Sequence, residues 1–310
     1  MKGAENMKWL TGYTEVSFPG LGWEFDVYDT LVEIPFGDNT ISIKFYGVII
    51  AFGFTLAVLF GGRKAYVWKM SIDKMLDVLI WGTIGGIIGA RAYYVIFEWD
   101  YFKNNLDEIV QIWNGGLAIY GGIIGALIVA YFVCKKVDLS FLKLLDLAGM
   151  SLLIGQGIGR WGNYTNQEAF GTNTTLPWGM TSDKVVAYIN SHQAEFAQNG
   201  IEMNPDLPVH PTFLYESLWC LLGFVILYIV CQKFRKFDGQ LFLGYGIIYG
   251  IERAIVEGLR TDSLYIGDTN LRVSQVLSMA IAAVCIVITI YKFVQLKKQK
   301  ETPAEVQENV

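Results

Sequence analysis

The sequence predicts an all-α integral membrane protein with about seven transmembrane helices, an external amino terminus, a cytoplasmic carboxyl terminus and a small external lobe. Three observations predict it. Of 310 residues, 53% are hydrophobic and only 17% charged, and the mean hydropathy is positive; a water-soluble globule of this length is more polar than that. About seven apolar runs reach the roughly 20 residues that cross ~30 Å of hydrocarbon. Lysine and arginine gather in every second loop, as the positive-inside rule requires of a multi-pass chain.

The runs cover approximately residues 41–62, 76–97, 115–134, 141–160, 213–232, 240–258 and 273–294. Arg63, Lys64, Lys69 and Lys74 follow the first; Lys135, Lys136 and Lys143 follow the third; Lys233, Arg235 and Lys236 follow the fifth; Lys292, Lys297, Lys298 and Lys300 close the last. The alternate loops are poor in them: only Lys103 lies between the second and third runs, and only Lys184 in the long fourth connection. All basic clusters therefore fall on one side, the cytoplasmic one. Residues 1–40 have no basic region followed by an apolar stretch and carry Glu15, Glu24, Asp26, Asp29 and Glu33, which predicts a polar external arm and no cleavable signal. The membrane domain, 41–296, is interrupted by an external insertion at 161–212. There Pro177, Pro205 and Pro208 and an amphipathic piece from Val185 to Phe196 predict loops and one helix capping a site that opens outward. Residues 297–310 are a polar cytoplasmic tail with the composition of a disordered segment.

Several classes of function drop out. A net charge of −5 with no basic block gives no purchase on nucleic acid. Cys134, Cys220, Cys231 and Cys285 sit inside apolar runs without CxxC spacing, so no metal site and no disulfide framework is indicated. His192 and His210 are too few and too far apart for a motif, and no cofactor is implied. Gly85-Gly86 with Gly89, and Gly121-Gly122 with Gly125, follow the small-xxx-small pattern of closely packed membrane helices.

The chemistry is carried by charges that a membrane helix ought not to have. A central charge costs roughly 2.5–3.5 kcal/mol on insertion scales, against about half a kcal/mol gained per leucine. Yet Arg160 stands in the fourth run, and Glu252, Arg253 and Glu257 in the sixth. Arg160 belongs to a segment from Gly155 to Gly171 in which small residues read as helix breaks surround a guanidinium, two amides (Asn163 and Asn166) and a carboxylate (Glu168). Guanidinium offers a planar fork of donors matched to phosphate, and the abundant phosphate of a bilayer is the lipid headgroup. Glu168 cannot bind phosphate; its work is to orient an arginine or a loop amide. In the sixth run Tyr249, Arg253 and Glu257 recur every four residues on one face, with Arg260 just beyond. That spacing also allows an intrahelical Arg253–Glu257 ion pair. Lesser candidates are His210 at the start of the fifth run, Arg91 after the glycines of the second, and Tyr120 in the glycine-flanked third.

Taken together and in this order, the motifs resemble those of the bacterial prolipoprotein diacylglyceryl transferases, from about Ile41 to the seventh run. Gly159-Arg160-Trp161-Gly162-Asn163-Tyr164-Thr165-Asn166-Gln167-Glu168 with Gly171 is similar to the family's G-R-x-G-N-[FY]-x-N-x-E-x-x-G signature. His210-Pro211-Thr212-Phe213-Leu214-Tyr215-Glu216 resembles its H-P-[ST]-x-L-Y-E, and Arg253, Glu257, Arg260 and Asp262 its R-x-x-x-E-x-x-R-x-[PD]. Tyr46 with Gly47, Gly89 to Arg91, and Asp146 also match. The resemblance implies a seven-helix enzyme of the bacterial cell membrane, its site toward the outer side. Its substrates would be phosphatidylglycerol and the lipobox cysteine of a prolipoprotein signal peptide, and its products a thioether and glycerol phosphate.

On that basis Arg160 and Arg253 are expected to bracket the lipid phosphate. Tyr46, Arg91, Asn163, Asn166, Glu168, Gly171, Tyr249, Glu257 and Arg260 are expected around the substrate. Many members carry histidine where this chain has Tyr120, so the group that handles the thiol proton is open between Tyr120, His210 and none. A thiol of pKa about 8.5 costs only about 2 kcal/mol to ionise at neutral pH, so a protein base helps without being obligatory. An anion transporter is disfavoured because the fourth and sixth runs are not repeats of one another. A retinal protein is disfavoured because the last run has no lysine before Lys292.

Overall fold

The computed structural model describes residues 10–36, 39–261, 269 and 271–301. In chain order its elements are strands β1 (Thr11–Phe18), β2 (Trp23–Phe36) and β3 (Asn39–Lys44), then helices α1 (Phe45–Val67), α2 (Ile72–Phe97), the single turn α3 (Trp99–Phe102), α4 (Ile119–Lys136) and α5 (Phe141–Asn166). There follow the short strand β4 (Thr181–Ser182) and helices α6 (Asp183–Ser191), α7 (Gln193–Gln198), α8 (Thr212–Lys233), α9 (Gln240–Glu257) and α10 (Val273–Glu301). Six of these helices, α1, α2, α4, α5, α8 and α10, are long and apolar enough to cross a membrane. The sixth apolar run forms α9, a full 18-residue helix whose Glu252, Arg253 and Glu257 lower its apolarity. What α9 lacks in hydropathy it recovers by packing. A Cβ at Gly250 would lie 2.6 Å from the Ser278 carbonyl oxygen, and one at Gly246 would lie 2.6 Å from Cys285 Sγ, so α10 sits directly on its backbone.

The chain divides into two units, residues 1–59 with 149–310, and residues 60–148. In the second unit α2 and α4 pack through the predicted glycines: a Cβ at Gly89 would stand 2.4 Å from the Gly121 carbonyl oxygen, and one at Gly125 2.4 Å from that of Gly85. Ser71 caps the start of α2, its hydroxyl accepting from the Lys74 amide at 3.4 Å, with Asp73 in the first turn complementing the helix dipole.

In the first unit the arm that the sequence presents as polar is a sheet. Its order is β3-β2-β1-β4, with Thr14 opposite Val27, Val16 opposite Phe25 and Phe18 opposite Trp23. Those pairs share one face, and Val16, Phe18 and Val27 are buried with Phe170, Met180, Val185, Ile189, Phe196, Met203, Val209 and Phe213. The sheet thus roofs a lobe whose other wall is α6 and the loops around it. The amphipathic piece expected as one helix is two, α6 and α7, broken at His192. Residues 297–301, expected to begin a disordered tail, continue α10, because a helix already nucleated extends at little cost. Residues 302–310 and Asp262 lie outside the described residues.

A carboxylate ties the sheet to the lobe. Asp29 accepts hydrogen bonds from Thr30 at 2.6 Å, Lys44 at 3.1 Å and Lys184 at 2.7 Å. Burial works to raise its pKa, but the hydrogen bonds from Lys184, Thr30 and Lys44 prevail and bring it to about 2. A depressed carboxylate contributes stability above its ordinary value near 3.8, and that stability is lost as pH falls from there toward about 2. With both lysines partly solvated the contribution is about 1 kcal/mol. Asp29→Asn should therefore lower the lobe's unfolding midpoint at neutral pH, and the difference from wild type should vanish by the acid end of that window. Equal acid sensitivity in the two proteins, followed by limited proteolysis of the lobe, would count against it.

Candidate active site

The glycines around Arg160 do not break the helix. α5 runs without interruption to Asn166, and each glycine buys proximity instead. A Cβ at Gly157 would lie 3.2 Å from Cys220 Cβ, one at Gly159 3.1 Å from Ile50 Cδ1, and one at Gly162 2.7 Å from the Tyr46 ring. Packing against α1 and α8 offsets the roughly 1 kcal/mol that each glycine costs a helix. It also explains Tyr46: its ring lies against the signature segment because Gly162 has no side chain.

Close packing brings α8 within reach of Arg160. Its Nη2 forms an ion pair with Glu216 Oε2 at 2.5 Å, and the glutamate is 1% exposed. Alongside, Trp161 Nε1 donates to Ser217 Oγ at 3.1 Å. On α9 the i,i+4 ion pair is formed: Arg253 Nη2 meets Glu257 Oε2 at 2.6 Å, with Glu257 2% exposed. Tyr249 stacks on Tyr245 at 5.9 Å, and Gln156 of α5 donates to the Tyr245 hydroxyl at 3.0 Å. Gln156 lies one turn before Arg160 on α5 and Tyr245 about two turns before Arg253 on α9, so this hydrogen bond sets both guanidiniums toward the same end of the packed helices. Removing either cation leaves a buried carboxylate uncompensated, which is why each sits with a partner.

Past Asn166 the chain turns sharply. Gln167 and Ala169 take positive φ of 58° and 55°, a region that costs non-glycine residues about 1–2 kcal/mol each. Ser182 Oγ donates to Gln167 Oε1 at 2.9 Å and Thr212 Oγ1 donates to the Ala169 carbonyl, which holds the turn. Glu168 accepts from Asn163 Nδ2 at 3.0 Å and Asn166 Nδ2 at 3.3 Å. Both partners are side-chain amides of the last turn of α5. Gly171 lies where three segments meet. Its amide donates to the His210 carbonyl at 3.0 Å, the Thr172 amide donates to that of Leu259 at 2.8 Å, and Gly171 bridges Arg260. A Cβ there would stand 2.8 Å from that of His210. An open cavity of about 350 Å³ beside the turn is bounded by Asn166, Glu168, Lys184, Tyr188 and Thr261.

His210 precedes α8, where burial lowers its pKa and keeps the ring neutral. Its Nδ1 lies 3.1 Å from the Tyr215 hydroxyl, which already accepts from Trp178 Nε1 at 2.8 Å. The Tyr215 hydroxyl donates to Nδ1 or accepts from it according to the tautomer of the imidazole.

The remaining expected residues lie in the other unit. Arg91 donates from Nε to the Ile109 carbonyl at 2.8 Å, from Nη1 to those of Gly115 and Gly116 at 2.9 Å, and from Nη2 to that of Glu108 at 2.6 Å. Its fork is spent on shaping the loop that enters α4. Gly116, at φ +73°, fits under it because a Cβ would come within 2.5 Å of Nη1. Tyr120, the second residue of α4, is 37% exposed. Among the described residues no group of three His, Cys, Asp or Glu is placed to hold a metal ion.

Two residues emerge here that the sequence gave little reason to choose. Glu216 is visible only as the last letter of the His210 motif; its pairing with Arg160 joins distant helices. Glu252 reads as one more charge in the sixth run until its burial and neighbours are known.

The family model described as prolipoprotein diacylglyceryl transferase matches residues 34–291, leaving β1 and most of β2 before its start. Phosphatidylglycerol–prolipoprotein diacylglyceryl transferase of Finegoldia magna is 47% identical over 261 residues, 84% of this chain and 96% of the relative. That of Listeria monocytogenes is 47% identical over 83% of this chain and 88% of the relative. That of Lysinibacillus sphaericus is 39% identical over 85% and 93%. With the match spanning the helices and both arginine clusters, the chain belongs to the prolipoprotein diacylglyceryl transferase family.

Proposed function

We infer that the chain transfers the diacylglyceryl group of phosphatidylglycerol to the lipobox cysteine of a prolipoprotein, with Arg160 and Arg253 holding the lipid phosphate. The observation that carries the reading is a pair of guanidiniums, each seated on a buried glutamate, toward the same end of packed apolar helices. The thiolate attacks the glyceryl carbon bonded to the phosphate oxygen; the C–S bond forms, the C–O bond breaks, and the electron pair stays on the phosphate. Attack at a saturated carbon needs no oxyanion hole. The barrier lies in expelling a phosphate leaving group, and fixed cations aimed at it are the appropriate device. Because glycerol phosphate leaves with a second ionisable oxygen, the thiol proton can end there.

Asn163, Asn166 and Glu168 fix the turn beside the phosphate, Tyr46 and Tyr249 flank it, Glu257 orients Arg253, and Gly171 with Arg260 ties the turn to the end of α9. Arg91 acts by shaping the loop before Tyr120. The alternation of basic loops supports a site that opens on the outer side of a bacterial cell membrane, with the lobe above it.

The direct test is mass spectrometry of a lipobox peptide incubated with the purified protein and phosphatidylglycerol. A diacylglyceryl adduct on the cysteine is expected; its absence where another family member produces one would sink the reading. Tyr120→Phe addresses the proton. Tyr120 is expected to hydrogen-bond the lipid or the thiol, so the variant should lose about tenfold in turnover, the worth of one such bond. Loss of nearly all turnover with lipid binding intact would instead make Tyr120 the proton acceptor.

A further inference from the structure

The end of β2 and the strand β3 form a hairpin with two unlike faces. Opposite residues of an antiparallel pair share a face, and neighbours along a strand alternate between faces. The register sets Val32 opposite Ile43 and Ile34 opposite Ile41, with Phe36 on the same side, whereas Glu33 stands opposite Ser42 and Pro35 opposite Thr40. One face therefore carries Val32, Ile34, Phe36, Ile41 and Ile43. The other carries Glu33, Pro35, Thr40 and Ser42, with Glu33 Oε1 accepting from the Thr11 hydroxyl at 3.0 Å. The apolar face is left uncovered by the rest of the chain: Ile34 is 45% exposed, Phe36 69%, Ile41 52% and Ile43 39%. β3 is also an edge of the sheet, and in water an apolar face on an edge strand invites association.

What meets this face follows from where the hairpin is rooted. Lys44 ends β3 and Phe45 begins α1, a candidate membrane span of 23 residues. Such a helix is about 34 Å long and matches ~30 Å of hydrocarbon, so the end of β3 lies at the membrane boundary. A strand advances about 3.3 Å per residue, which places Ile43 ~3 Å and Ile41 ~10 Å from Lys44 along the chain. The headgroup layer is roughly 5–8 Å deep, so a strand inclined to the membrane normal keeps both isoleucines within it. The root is held firmly: Lys44 Nζ donates to Asp29 Oδ1 at 3.1 Å and to Thr30 Oγ1 at 2.7 Å, and Asp29 also accepts from Lys184 of α6 at 2.7 Å. We propose that the hairpin lies in the headgroup–acyl boundary of the leaflet where α1 begins, with Ile34, Phe36, Ile41 and Ile43 in lipid and Glu33, Thr40 and Ser42 toward water. It thereby rests the lobe on the membrane surface. β2 carries the anchorage to the lobe, because the strand that holds Ile34 and Phe36 also buries Val27 in the lobe core.

The test is a nitroxide scan of the full chain in phosphatidylcholine nanodiscs. Cys231→Ser/Cys285→Ser removes the partly exposed thiols, and Cys134 and Cys220 are buried. Single labels are then placed by Glu33→Cys, Ile34→Cys, Phe36→Cys, Thr40→Cys, Ile41→Cys, Ser42→Cys and Ile43→Cys. Collisions with oxygen, which concentrates in lipid, should exceed those with an aqueous nickel chelate at Ile34, Phe36, Ile41 and Ile43. The order should reverse at Glu33, Thr40 and Ser42, giving the period of two that one lipid-facing side of a strand requires. A preference for nickel at every position overturns the proposal. So does shielding of Ile34 and Ile41 from both reagents, the mark of a second protein surface, and so does shielding that arises only when a lipobox peptide is added. In Ile34→Ser/Ile41→Ser the label at Phe36 should shift from oxygen to nickel preference. An unchanged oxygen preference there would show that the apolar face is not what holds the hairpin in lipid.

Discussion

Arg160→Ala is expected to lower kcat/KM for phosphatidylglycerol by about 10³-fold while leaving the protein folded. The loss follows from where the charge acts. On the proposed reading, negative charge accumulates on the phosphate in the leaving step, and the guanidinium held at the end of α5 meets it without reorganising water. Arg253 sits close enough to retain part of the effect, so the residual rate should exceed that of the double variant. Glu216, deprived of its cation, is left uncompensated at a cost of about 3–5 kcal/mol, so the unfolding midpoint should fall while the fold is retained. The check is turnover with a lipobox peptide beside the thermal unfolding midpoint. Near-wild-type turnover would remove Arg160 from the reaction. A collapsed midpoint would show that its pairing with Glu216 is chiefly structural, and Arg160→Ala/Glu216→Gln should then restore folding without restoring activity.

The second large effect is on assembly. Gly125→Val places side-chain atoms where the Gly85 carbonyl oxygen already stands 2.4 Å from an ideal Cβ and Gly89 Cα stands 3.0 Å away. Both obstacles are backbone, so no rotamer relieves them; α2 and α4 must separate along their shared face. Small-residue contacts are the main source of helix adhesion in lipid, and overpacking that side chains can accommodate already costs about 1–3 kcal/mol. The variant should yield little monodisperse protein, with a strongly lowered unfolding midpoint. Gly62→Ala is the matched control, since a Cβ there meets nothing within 4 Å. If Gly125→Val unfolds no more readily than Gly62→Ala, the α2–α4 contact does not support the fold.

Both effects differ in how far they could be read beforehand. The Gly89 and Gly125 contact is legible because small residues at helical spacing have one dominant use in a membrane. The glycines from Gly155 to Gly162 misled for the same reason in reverse: taken locally they lower helix propensity, and only the arrival of Tyr46, Ile50 and Cys220 shows why α5 stays helical there. The strands of residues 11–44 escaped notice although Trp23, Phe25 and Val27 alternate with acidic and polar residues, because the residues that bury Val16, Phe18 and Val27, Val185 and Ile189 of α6 among them, lie more than a hundred positions away. Arg91 looked like a substrate ligand because a charge after a glycine series is expensive; the carbonyls that satisfy it belong to a loop whose path no local pattern specifies.

By itself the sequence determined the class of the molecule, the number of its apolar runs and the residues worth suspecting. Each of these follows from a local quantity, the transfer cost of consecutive side chains or the identity of a short motif. The tertiary structure alone decided which charge answers which. That Arg160 rests on Glu216 and that Arg91 is spent on a loop both depend on distances between elements far apart in sequence, and those distances are set by packing.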